Sequence, residues 1–168
     1  MDDSGIELLI FDADGVLTDG RIVVDEAGGQ IRTFSVQDGM GIRLWREAGG
    51  RTAILSGQSC RAVAHRAAQL QIDRLVQGCH DKLAGFEQLV EQLAVPADRT
   101  CFMGDDLPDL PVMRRCGYPV AVANAVAEVK AVARYVTRRP GGAGAIRETV
   151  EHLLRRAGRW NELTGRYY

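Results

Sequence analysis

No apolar run in the 168-residue sequence approaches the length needed to span a membrane. The formal net charge is only −1, so neither nucleic acid nor an anionic membrane surface is indicated as a partner. The one basic cluster, Arg155, Arg156 and Arg159, is short and reads as a solvated helix end. Cys60, Cys79, Cys101 and Cys116 include no CxxC pair, which excludes the usual zinc spacings and a dense disulfide framework. Cys79 and His80 are neighbours without further ligand partners nearby, so they read as bystanders for a metal. Reduced thiols in a cytoplasmic protein are therefore expected. Met1, Asp2, Asp3 and Ser4 do not begin a basic leader followed by a long apolar segment, so no signal peptide is expected. Internal repeats and low-complexity segments are also missing.

What is present is an ordinary globular composition, 46% hydrophobic and 26% charged, in a chain long enough to bury a core without staples. One domain over residues 1–168 is expected. Short apolar runs at 8–11, 52–55, 74–76, 100–103, 119–123 and 135–137 read as buried strands. Helical periodicity separates them, with Asp38, Ser59 and Asp81 as expected caps. Residues 21–26 and 30–36, joined by Ala27-Gly28-Gly29, predict a small hairpin within 17–36. Strands alternating with helices predict an α/β fold: a doubly wound, Rossmann-like parallel sheet with helices on both faces.

The chemistry sits at the strand ends. The first apolar run stops at Asp12 and Asp14, with one residue between them, and turns at once through Gly15. Ser56-Gly57 follows the second run and Gly104-Asp105-Asp106 the fourth. In a parallel sheet these ends share one edge, where open α/β sheets bind ligands. Two neighbouring carboxylates repel, so they call for a cation or a shared proton. Asp12, Asp14 and Asp105 together suit a hard cation bound through oxygen, and Mg²⁺ is the usual choice beside phosphate. A carboxylate nucleophile facing a phosphate dianion needs such help. Lys82, beside the Asp81 cap, can add positive charge, and Ser56 can hydrogen-bond a phosphate oxygen. Taken singly, Ser56-Gly57 reads as a turn, Lys82 as a surface lysine, and Asp106 and Asp109 as helix caps. Asp109 can also orient the metal shell from behind.

With DADGVLTDG, LSGQS, Lys82 after QG, and GDDLPD in this order, the chain resembles the haloacid dehalogenase superfamily of aspartyl-phosphate phosphatases. QDGMGIRLW, QGCHDK, GDDLPDLPVM and GGAGAIRE make it similar to the 3-deoxy-D-manno-octulosonate 8-phosphate phosphatase family, over roughly residues 7–158. The resemblance implies Asp12 as nucleophile and Asp14 as general acid and base. It implies Asp12, Asp105 and the Asp14 backbone carbonyl as Mg²⁺ ligands, and Ser56, Gly57 and Lys82 as the phosphate site. Asp106 and Asp109 stand behind them. One position departs from the family pattern: Gln58 stands where arginine is common, and an amide cannot replace a guanidinium as a carboxylate partner. Gln58 is therefore the expected specificity residue, and nine-carbon sugar-acid 9-phosphates remain an alternative substrate class.

The intervals from Asp14 to Ser56 and from Ser56 to Lys82 are too short for a cap domain. An open site for phosphoryl transfer would borrow cover from a neighbour. The resemblance implies a homotetramer built through the hairpin, with C-terminal segments reaching neighbouring sites. Trp160, Tyr167 and Tyr168 in the tail, residues 158–168, suit that docking. A catalytically silent binding or oligomerisation module is the rival, opposed by the retained charge cluster. A phosphate-transferring mutase would want a cap.

Overall fold

Every predicted strand forms. In chain order they are β1 (Leu8–Phe11), β2 (Val23–Val24), β3 (Gln30–Ile31), β4 (Arg51–Leu55), β5 (Arg74–Val76), β6 (Thr100–Gly104), β7 (Tyr118–Ala121) and β8 (Tyr135–Val136). The computed structural model describes residues 5–167; the leader reading of Met1, Asp2, Asp3 and Ser4 and the docking role of Tyr168 lie outside the described residues. Six strands make one parallel sheet in the order β5-β4-β1-β6-β7-β8. Central β1 has all four side chains buried, which is why it reads as a continuous apolar run without alternation.

The helices are α1 (Val36–Glu47), α2 (Arg61–Leu70), α3 (Lys82–Gln92), α4 (Leu110–Arg115), α5 (Ala127–Val132), α6 (Ala145–Arg156) and α7 (Trp160–Thr164). The chain winds outward from β1 through β4 to β5, then crosses back to β6 and winds outward the other way. With right-handed crossovers this puts α1 and α2 on one face and α3, α4 and α5 on the other. The contacts agree: α1 packs on α2 and α6, and α4 on α3 and α5. The reversal between β1 and β6 opens a crevice at the carboxyl ends of the strands. Among the described residues, only the hairpin and α1 separate β1 from β4, so no cap domain is inserted there.

Four expectations change. Asp38 does not cap its own helix; Ser35 does, its Oγ accepting from the Gln37 and Asp38 amides at 3.1 and 3.3 Å. Asp38 lies one turn in, fully buried, and caps α6 instead, accepting from Gly144 N at 3.0 Å and Arg147 N at 2.9 Å. Gly144 has no side chain to do so, and α6 would otherwise begin with orphan amides. Burial pushes the Asp38 carboxyl above its usual range, against the pull of those amides. The second change is at α2, whose cap position is Cys60 rather than Ser59 and makes no side-chain bond.

Third, the hairpin is shorter than predicted, two residues a strand, with Val23 opposite Ile31 and Val24 opposite Gln30. Its tip is held by Asp25, whose Oδ1 accepts from Ala27 N at 2.9 Å and Gly29 N at 2.7 Å. Ile22, Val23, Val24 and Ile31 stand exposed because no second layer of the chain covers them. Fourth, the tail docks on its own chain. Trp160 is buried with the Arg147 and Arg155 guanidinium groups each 5.1 Å from its ring. Arg159 Nη1 donates to the Ala48 carbonyl at 2.6 Å, and Arg166 pairs with Glu47. Tyr167 alone of the described tail aromatics stays exposed.

Candidate active site

The β1–β6 ladder continues one step past β1, because Asp12 N donates to the Met103 carbonyl at 3.1 Å. That bond fixes Asp12 beside the end of β6. The following loop closes on itself: Leu17 N donates to the Asp12 carbonyl at 3.3 Å and Thr18 N to the Ala13 carbonyl at 3.0 Å. Buried Thr18 Oγ1 accepts from Gly15 N and Gly20 N at 3.3 and 3.2 Å. Gly15 has φ of +100°, and a Cβ there would fall 2.0 Å from Asp105 Oδ2. Only glycine permits both the backbone angle and the approach of Asp105. Gly141 closes the loop from behind; a Cβ on it would strike the Gly15 carbonyl at 1.7 Å.

Asp12 is buried, and its Oδ1 lies 3.0 Å from Lys82 Nζ. The same ammonium is 2.7 Å from Asp109 Oδ1. Lys82 is no surface lysine: it is buried at the first turn of α3, which Asp81 caps through Ala84 N at 3.1 Å. Asp109 Oδ2 accepts from Asp105 N at 2.9 Å and Asp106 N at 3.4 Å, while Asp106 Oδ1 accepts from Leu107 N at 2.8 Å. Asp106 and Asp109 thus form a capping box, as their reading as helix caps expects, and Asp109 also braces the Asp105 loop. Ser56 is buried at the end of β4, and its Oγ accepts from Gln58 N at 3.2 Å. Backbone bonds from Cys79 N to the Ser56 carbonyl and from Gly78 N to the Gln58 carbonyl tie this loop to the start of α3.

These residues converge on one open cleft of about 360 Å³. Asp12, Asp14, Ser56, Gly57, Gln58, Lys82, Asp105, Asp106 and Asp109 all line it, and so do Cys79 and His80. A larger hollow of about 520 Å³, beside Arg138, Arg139 and Arg147, holds none of the converging carboxylates.

The sequence reading missed Arg32. Its side chain is wholly buried, and Nε donates to Asp14 Oδ1 at 2.6 Å while Nη2 donates to Gln30 Oε1 at 3.2 Å. A signal existed: period-two alternation puts Arg32 on the face of inward-packed Phe34, opposite exposed Ile31.

Carboxylate oxygens of Asp12, Asp105 and Asp109 lie within 4.8 Å of one another, with Lys82 as the cation beside them. Burial, reinforced by the charge of Asp109, pushes Asp12 up to about 7 despite Lys82. Burial and then the charges of Asp12 and Asp109 push Asp105 up to about 7. Burial would lower the Lys82 ammonium, but the charges of Asp12 and Asp109 outweigh it and hold its pKa above the usual value. Asp105 Oδ1 is buried with no hydrogen-bond partner. Crowded carboxylates, an orphan oxygen and an all-oxygen donor set fit a hard divalent cation. The Asp14 carboxylate is not in this cluster, since it is bound to Arg32; its expected contribution to a metal is through the backbone carbonyl.

A profile of haloacid dehalogenase-like hydrolases matches residues 74–146. The 3-deoxy-D-manno-octulosonate 8-phosphate phosphatase of Escherichia coli K12 is 42% identical over 160 residues, covering 95% of this chain and 85% of that protein. The Moraxella catarrhalis enzyme of the same name, solved with magnesium ion, phosphate ion and KDO, superposes with a TM-score of 0.96 at 34% identity, covering 99% of this chain and 96% of that one. The cobalt-bound Haemophilus influenzae phosphatase superposes with a TM-score of 0.93 at 36% identity, over 96% and 94% of the two chains. With such identity along nearly its whole length, and with the strand-end carboxylates gathered in one cleft, this chain belongs to the 3-deoxy-D-manno-octulosonate 8-phosphate phosphatase family of haloacid dehalogenase-like hydrolases.

Proposed function

We propose that the chain is a Mg²⁺-dependent phosphatase that hydrolyses 3-deoxy-D-manno-octulosonate 8-phosphate through a phosphoryl group carried on Asp12. The observation that carries this reading is the cleft itself, where Asp12, Ser56 and Lys82 meet beside the unpartnered Asp105 oxygen. Asp12 and Asp105 carboxylates and the Asp14 carbonyl would hold Mg²⁺, braced by Asp106 and Asp109. When bound, Mg²⁺ supplies positive charge that offsets repulsion between Asp12 and the phosphate dianion.

An Asp12 carboxylate oxygen attacks phosphorus, and the bond from phosphorus to the sugar oxygen breaks. The electron pair stays on that oxygen, which takes the proton of the Asp14 carboxyl group. Asp14, now a carboxylate, removes a proton from water. The water oxygen attacks phosphorus, the Asp12–phosphorus bond breaks, and phosphate leaves. Lys82 and Ser56 hold the phosphoryl oxygens throughout.

Assembly is part of the proposal. Exposed Ile22, Val23, Val24 and Ile31 on the hairpin support a homotetramer that shields this uncapped cleft. Among the described residues no helix is long and apolar enough to cross a membrane, and the four cysteines are free, which supports a reducing, cytoplasmic setting.

The test is phosphate release over a panel of eight- and nine-carbon 2-keto-3-deoxy sugar-acid phosphates with Mg²⁺, then with chelator. The eight-carbon ester should give the highest kcat/KM, and chelator should abolish turnover. No release from any member, or full activity in chelator, overturns the reading.

A further inference from the structure

Arg32 is a buried charge that the chemistry above leaves without a role. Arg32 follows directly on β3, a strand bonded only to β2, yet its guanidinium reaches into the site to bind one oxygen of Asp14 at 2.6 Å. A second nitrogen is held by Gln30 Oε1 at 3.2 Å, and Nη1 lies 3.4 Å from the Ile31 carbonyl. Lys82 is taken up by Asp12 and Asp109, so Arg32 is the cation paired with Asp14 among the described residues. The Asp14 side chain is partly exposed toward the cleft, and its backbone is extended at φ −82°, ψ 112°, with no helical turn to restrain the side chain. A charge-assisted bond from an immobilised guanidinium restricts a carboxylate far more than solvent would.

We propose that Arg32 is a positioning residue: it binds one Asp14 oxygen so that the other is presented to the alcohol that leaves when phosphorus is transferred to Asp12. The proposal rests on the acid–base reading of Asp14. It assigns the otherwise peripheral hairpin a part in the chemistry, because the residue that aims the acid directly follows its returning strand.

The experiment compares two leaving groups in Arg32→Gln, Arg32→Lys and Asp14→Asn. The eight-carbon sugar-acid phosphate releases a poor alkoxide that needs a proton, whereas p-nitrophenyl phosphate releases a phenolate that does not. The readout is the ratio of kcat/KM for the two substrates. It reports the step up to loss of the alcohol, and any unfolded fraction cancels from it. Arg32→Gln should lower the ratio at least about tenfold, toward the value of Asp14→Asn, and Arg32→Lys should restore part of it. A ratio unchanged in Arg32→Gln but lowered in Asp14→Asn overturns the positioning role, since a merely structural defect slows both substrates alike. A ratio unchanged in Asp14→Asn overturns the acid–base reading, and the Arg32 proposal falls with it.

Discussion

Asp12 and Asp14 are two residues apart and are anchored in opposite ways. Asp12 is gripped by the core: its amide is bonded to β6, and Lys82 from α3 links its carboxylate to Asp109. Asp14 is paired with one guanidinium carried just past a four-residue ladder whose apolar side chains face outward. The proposed nucleophile is therefore held by the sheet itself, and the proposed acid by a residue at the hairpin.

The largest effect should come from the core-held partner. Asp12→Asn should lower kcat by about 10⁴-fold or more, since an amide is a very poor nucleophile, while the fold persists. Residual activity within tenfold of the parent, in a steady-state assay, would sink the covalent route. The hairpin offers the opposite break. Lysines at the opposed pair, Val23→Lys with Ile31→Lys, should disperse the proposed homotetramer to about the 18.4 kDa monomer mass. They should also lower kcat/KM for the sugar-acid phosphate by about tenfold or more, the loss expected when acid catalysis at Asp14 is compromised. Unchanged mass and kinetics would show that the hairpin is not an anchor shared between subunits.

The third outcome concerns charge at the core-held side. Asp12 and Asp105 are raised from 3.8 to about 7 in the metal-free fold, so their protonated forms favour the native state. That contribution is complete below about pH 3.8 and is lost as pH rises through about 7. Metal-free protein should therefore melt at a lower temperature at pH 8 than at pH 5.5, and Mg²⁺ should raise the melting temperature more at pH 8. At a hundred times its dissociation constant the ion stabilises by about 2.7 kcal/mol, or several degrees for a chain of this size. An equal gain at both pH values would contradict the crowding argument. The smallest effect lies at the rim. Gln58→Arg should change the ranking of eight- against nine-carbon sugar acids by about tenfold through one charge-assisted bond, leaving metal dependence alone. An unchanged ranking removes Gln58 as a specificity residue.

The contrast also separates what was legible. Asp12, Ser56, Lys82 and Asp105 could be read in advance because each follows an apolar strand or opens a helix, and parallel strands bring such points to one edge. Asp109 could be read as a helix cap, and the structure gives it the cap together with bonds to the Asp105 amide and Lys82. Arg32 was missed, and Asp38 and Trp160 were misjudged, for a common reason. Each side chain leaves its own element and finds its partner on another: Arg32 at Asp14, Asp38 at the start of α6, Trp160 between two arginines of α6.

Local sequence determined the strands, most helix starts and the chemistry at the strand ends, because backbone preference and apolar period act over a few residues. It thereby determined the winding of the sheet, since right-handed crossovers leave few alternatives. Which long side chain reaches which distant partner was decided only by the packed structure. The tail shows this: its aromatics look equally suited to a neighbour's surface, but Trp160 is buried on its own chain beside Arg147 and Arg155 of α6. The Arg32–Asp14 pair, with its wholly buried guanidinium, exists only once folding has brought the two together, and nothing in the chain around either names the other as partner.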